Sequence, residues 1–155
     1  MAENKLCFAG FLLLIFSCGK PQDTSSRIHR IIDSLGIEPQ EKLILYRVNP
    51  NDCFSCLNGL ASTVRSIEKK NITQIFFIKV EREVEKRAIK IDFVKPDEKK
   101  IFVWSASLFR ELGSALNFQD PISTLHYYDY SKDSVLFSSK IKELYAGDSF
   151  IKTIN

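Results

Sequence analysis

The chain has 155 residues, 45% hydrophobic and 12% aromatic, enough for one ordinary globular core and too few for two. Its formal charge of +3 comes from 22 basic and 19 acidic residues that are well mixed, with no basic stripe interleaved with aromatics, which argues against nucleic acid as a partner. With two histidines, His29 and His126, a His-rich metal site or a Ser-His-Asp triad has little material to work with.

Leu6 to Phe16 is an uninterrupted run of apolar or small residues, preceded by Lys5 and followed by Ser17-Cys18-Gly19-Lys20. Spanning a bilayer takes about 20 apolar residues, so this run reads as the h-region of a signal peptide over residues 1–17. Ile15-Phe16-Ser17-Cys18 resembles the bacterial lipobox, in which a small residue precedes a cysteine that is lipidated on its sulfur and becomes the new N-terminus. The resemblance implies a lipid on Cys18, loss of Cys7 with the leader, and a protein held on a bacterial membrane, facing the periplasm or the cell exterior. A plain secretory signal with an incidental cysteine and an uncleaved short anchor are the alternatives. Several acyl chains on one residue give stable anchoring, at about 0.8 kcal/mol per buried methylene. Residues 18–26, polar and carrying Pro21, Ser25 and Ser26, read as a tether, and the domain over 27–155 is expected to begin near Arg27.

Ile28, Ile31, Ile32 and Leu35 recur at helical spacing, with Ser25 or Ser26 as cap and Gly36 as a left-handed end. His29 lies between those apolar positions and is given no role. Lys42 to Val48 is nearly all apolar and rich in strand formers, the pattern of a central strand covered on both faces. The turn-prone Asn49-Pro50-Asn51-Asp52 leads to Cys53-Phe54-Ser55-Cys56, and Leu57, Leu60, Val64 and Ile67 form a helical stripe after it. Cys53 therefore falls at or just before the first helical turn, and Cys56 lies within disulfide reach on the same side of that turn. Backbone N–H groups at a helix N-terminus favour a thiolate. Thr73 to Val80 is a second buried-type strand, so a helix joins two strands that should run parallel through a right-handed crossover.

Glu81 to Lys100 reads as a solvated, partly helical excursion. Ile101 to Trp104 is a short strand, and Ser105 to Leu112 a short helix closed by Gly113. Trp104 reads as core. Asp120-Pro121 introduces a hairpin of Ile122–Tyr130, a turn at Ser131-Lys132-Asp133-Ser134, and Val135–Ser138. A helix through Ile141, Leu144 and Tyr145 is interrupted at Gly147-Asp148.

This order of elements, with the Cys-x-x-Cys at the first helix of a βαβ unit and a Pro-led hairpin after an extra strand and helix, resembles the thioredoxin-like fold over about Lys42 to Leu144. It is most similar to the membrane-tethered TlpA/ResA type of thiol-disulfide oxidoreductases and to their AhpC/TSA-like, peroxiredoxin-like relatives. The fold so implied is α/β, a three-layer sandwich with a mixed central sheet and flanking helices. The resemblance implies that Cys53 is the nucleophile, Cys56 the resolving thiol and Pro121 the cis-proline facing the pair. It also implies exchange with protein thiols or disulfides outside the cytoplasm, by a monomer, with no cofactor. The family's Trp before the first cysteine and Pro within the pair are replaced by Asp52 and by Phe54-Ser55, and its buried carboxylate corresponds roughly to Arg47. Asp52 beside Cys53 is expected to raise the thiol pKa, against the lowering effect of the helix end.

Other readings of the same residues remain. The pair is a structural disulfide in a partner-binding lipoprotein, or it joins His126 at a metal, for which the chain has too few further ligands. A peroxidase would carry Thr three residues before Cys53, where Pro50 stands.

Overall fold

The computed structural model describes residues 24–38, 40–82 and 98–146, with Phe150 and Ile154. The expected signal peptide, Cys7, Cys18, the first part of the tether, most of the charged excursion and the Gly147-Asp148 break lie outside the described residues.

Helix α1 spans Thr24–Ser34, starting upstream of the expected Arg27, and buries Ile28, Ile31 and Ile32. It is followed by Gly36 at φ +63°, whose N–H bonds the Asp33 carbonyl, a left-handed conformation that costs glycine no Cβ clash. Strand β1 (Lys42–Val48) is central, as its apolar run requires, and helix α2 (Phe54–Glu68) connects it to the parallel strand β2 (Thr73–Ile78). Strand β3 (Lys100–Trp104) pairs in parallel with β2, and helix α3 (Ala106–Ala115) follows it, capped by the Ser105 hydroxyl accepting the Leu108 N–H. Strand β4 (Thr124–Asp129) returns antiparallel beside β1, and β5 (Ser134–Lys140) pairs antiparallel with β4. The sheet order is β3-β2-β1-β4-β5, and a 3₁₀ helix (Ile141–Ala146) closes the hairpin.

Strand alternation sorts the core into two layers. Ile44, Tyr46 and Val48 pack with Leu60, Val64 and Ile67 of α2 and with Leu125 and Tyr127 of β4. Leu43 and Leu45 pack on the other face with α1, with Leu112 and Ala115 of α3, and with Tyr128. Tyr46, Phe76 and Phe102 stack across β1, β2 and β3 at centroid spacings of 4.4 and 5.0 Å. The result bears out the expected α/β three-layer sandwich with a mixed sheet and is consistent with a thioredoxin-like arrangement.

Three details differ from expectation. Helix α3 does not stop at Gly113 but runs to Ala115, and the left-handed residue beyond it is Asn117 at φ 59°. Gly113 serves packing instead, because a Cβ there would lie 2.4 Å from the Arg47 Nη2. Strand β4 begins at Thr124 rather than Ile122, and β5 extends to Lys140 because Ser139 and Lys140 still pair with Leu125 and Thr124.

Candidate functional site: the cysteine pair and its clamp

The site is built on the segment leaving β1. The Asn49 side-chain oxygen accepts the Asn51 N–H at 3.2 Å and the Asn49 carbonyl accepts the Asp52 N–H at 3.0 Å, a turn of the kind asparagine side chains favour. It delivers Cys53 in an extended conformation (φ −59°, ψ 146°) at the N-cap of α2, where its Sγ accepts the Cys56 N–H at 3.3 Å. The Cys53 carbonyl accepts the Leu57 N–H, so the helix starts directly at the pair. Cys53 and Cys56 form a disulfide with a Cα–Cα distance of 5.2 Å, as their spacing on one turn allowed. Cys53 is exposed as a residue and Cys56 half-buried. The Ser55 hydroxyl lies 3.2 Å from the Cys53 sulfur. In the reduced form two donors would therefore face a Cys53 thiolate, the Cys56 N–H and the Ser55 O–H. In the sequence Ser55 stands out only as part of the Phe54-Ser55 that replaces the proline of the resembling family.

A clamp joins this segment to the entry of β4. The Asn49 N–H donates to the Ser123 hydroxyl at 2.9 Å, and the Ser123 N–H donates to the Asp52 carboxylate at 2.7 Å. The Asn49 side-chain amide donates to the Pro121 carbonyl. Asp52 thus stands beside Cys53 with one carboxylate oxygen held by a backbone amide of β4's approach.

No peptide bond among the described residues is cis, so Asp120–Pro121 is trans, and the cis-proline implied by the resemblance is corrected. An X–Pro bond stays trans unless its surroundings outweigh a preference of about 0.5–1 kcal/mol, and here the proline ring is exposed. Pro121 enters the site through its carbonyl, and Ser123 is the residue that meets the segment before the pair. Asn49 and Ser123 were missed by sequence reasoning. The turn-forming asparagine was the available signal for the first, and the hydroxyl residue leading into a strand only a weak one for the second.

Arg47 occupies the α3-facing side of β1, where the resemblance implied a carboxylate. It is 1% exposed. Its Nε donates to the Phe109 carbonyl at 3.0 Å, Nη1 to that of Phe118 at 3.1 Å and Nη2 to that of Asp120 at 3.5 Å, while the guanidinium lies 4.2 Å over the Phe109 ring. Burial lowers its pKa to about 10, which leaves it charged at neutral pH.

His126 sits in β4, opposite Leu45, with Nδ1 and Nε2 each 2.7 Å from a hydroxyl, those of Ser138 and Thr124 respectively. Burial, with the Arg47 charge second, lowers its pKa to about 3, so the ring is neutral across ordinary pH. Both nitrogens are engaged, and the ring meets Phe118 edge-on at 5.3 Å, so His126 does not join the cysteines. Among the described residues no group of three His, Cys, Asp or Glu side chains is placed to hold a metal ion, and no helix is long and apolar enough to cross a membrane.

The arrangement offers a closed disulfide at a helix N-terminus, its first cysteine an exposed residue beside a clamped carboxylate. That arrangement is compatible with a redox function of the pair. Compared with known protein families, with curated proteins and with solved structures, the chain matches none.

Proposed function

We propose that the protein is a membrane-anchored thiol-disulfide oxidoreductase that exchanges disulfides with extracytoplasmic protein partners through Cys53 and Cys56. The observation that carries this reading is the exposed residue Cys53 at the N-cap of α2, with the Cys56 N–H and the Ser55 hydroxyl within reach of its sulfur. Cys18 carries the lipid, the following residues form the tether, and the domain works as a monomer at the membrane surface.

In the reducing direction the Cys53 thiolate attacks a partner disulfide. One partner sulfur leaves as a thiolate and takes up a proton, and a mixed disulfide links Cys53 to the partner. The Cys56 thiolate then attacks the Cys53 sulfur, releases the second partner thiol and closes the pair. The partner gains two electrons and the pair loses them. Running backward, a partner dithiol reduces the pair and becomes the disulfide, and the balance of potentials sets which direction prevails.

The competing reading, a partner-binding lipoprotein with a structural disulfide, draws on the Asp52 carboxylate adjacent to Cys53, which opposes a thiolate there. An exchange assay with a protein disulfide and glutathione separates the two. Cys56→Ser is expected to accumulate a mixed disulfide through Cys53, and Cys53→Ser to lose exchange. A Cys53→Ser variant as fast as the wild type would end the proposed role of Cys53.

A further inference from the structure

On the face of the sheet opposite α2, a cleft of about 380 Å³ opens with Arg47 at its base. Lys79, just after β2, and Pro121, before β4, border it, so it sits at the carboxyl ends of the parallel strands. That edge of an open α/β sheet is where ligands ordinarily bind. Nothing in the exchange chemistry of Cys53 and Cys56 uses this cleft.

The charge around it is unbalanced. Among the described residues no carboxylate pairs with Arg47, and its three hydrogen bonds all go to carbonyls. These occupy three of the five guanidinium N–H groups, the last at 3.5 Å, and leave one N–H on each terminal nitrogen. Carbonyl dipoles orient the cation without cancelling it, and burying an ion without a countercharge costs several kcal/mol. A neutral donor would tie β1 to α3 more cheaply. At the rim, Lys79 and Arg110 both reach the single carboxylate of Glu81, at 3.6 and 3.3 Å. Among the described residues that line the cleft, three are cationic, Arg47, Lys79 and Arg110, and one is anionic, Glu81. Its remaining lining residues include Phe109 and Phe118. The volume falls in the lower part of the range of roughly 300–1,000 Å³ that small-molecule sites occupy.

We propose that this cleft is a second binding site, taking a small organic carboxylate whose charged end meets Arg47 between Lys79 and Arg110 and whose apolar body lies against Phe118. Specificity follows from the pairing of a buried guanidinium with aromatic walls: the cation selects an acid, and the rings select one with a flat or aliphatic body.

The test uses the full-length protein in detergent and sodium benzoate as the probe, followed by calorimetry. Saturable binding with a Kd of about a millimolar or tighter is expected, at least about 10-fold weaker for the neutral isostere benzamide. Arg47 holds three carbonyls, so the variants are placed at the rim and wall, where folding and the Cys53–Cys56 disulfide should survive. Lys79→Gln with Arg110→Gln is expected to weaken benzoate about 10-fold. Ser114→Tyr, at an exposed wall position, is expected to fill the cleft and abolish binding. Absence of saturable benzoate binding in the wild type, equal affinity for benzamide, or unchanged binding in folded Ser114→Tyr would each overturn the proposal.

Discussion

Replacing Gly113 with alanine sets two effects of opposite sign against each other. Within a helix, Gly→Ala ordinarily stabilises by about 1 kcal/mol, because glycine loses more conformational freedom on folding. Here the added Cβ would stand 2.4 Å from Arg47 Nη2, 2.5 Å from its Cζ and 2.7 Å from the Phe118 carbonyl oxygen. The guanidinium cannot stay. Displacing it weakens its bonds to the Phe109 and Phe118 carbonyls, each worth about 1.5–3 kcal/mol when the donor is charged, and its stacking on Phe109, worth about 1 kcal/mol. With partial relaxation and the helix gain subtracted, a net loss of about 3 kcal/mol is expected, or a fall in Tm of about 10 °C for a domain of this size. Urea unfolding of the oxidised protein should show a lower midpoint at unchanged slope. In Arg47→Met the flexible side chain can yield, so the cost of adding Gly113→Ala should shrink by about 2 kcal/mol. A Gly113→Ala protein as stable as the wild type, or about 1 kcal/mol more stable, would refute this account of the Arg47 contact.

Three further outcomes follow from the geometry. The pKa of His126 is about 3 in the fold against 6.5 unperturbed, so its contribution is complete above pH 6.5 and is lost as pH falls toward 3. Relative to His126→Gln, the wild type should lose about 2 kcal/mol between pH 6.5 and about pH 5 in urea titrations, before most carboxylates titrate. Asp52→Asn removes a charge beside Cys53 while keeping an acceptor for the Ser123 N–H, and should make the reduced protein react faster with iodoacetamide near neutral pH. An unchanged rate would detach Asp52 from Cys53. Reducing the disulfide opens a loop of sequence separation 3 and should cost about 2 kcal/mol by the chain-entropy relation, read as a shift of the urea midpoint.

The sheet was legible in the sequence because its signals are local and redundant. Leu43–Tyr46 and Ile75–Ile78 are apolar on both faces, the helix between them carries its stripe at Leu60, Val64 and Ile67, and only a right-handed parallel unit satisfies both. The Cys53 position at the head of α2 was legible for the same reason. What escaped depended on contacts between distant segments. Gly113 looked like a helix end because glycine often is one, and its partner, Arg47, lies far away in sequence on β1. Ser123 and Asn49 meet only once β4 lies beside β1, so the contact between them has no local signal, although Asn49 itself marks a turn. Pro121 drew attention through the resemblance, whereas the hydrogen bonds fall on its carbonyl, which any residue could supply.

The central claim is that Cys53–Cys56 is an exchanging pair rather than a permanent staple, and its reduction potential tests that most directly. The protein should be equilibrated with graded ratios of oxidised and reduced glutathione and its thiols trapped and counted. The account predicts reversible equilibration and a potential above about −300 mV, in the range of exchanging dithiols. A potential below about −300 mV, with no exchange toward glutathione or protein disulfides, would contradict it and leave a structural disulfide.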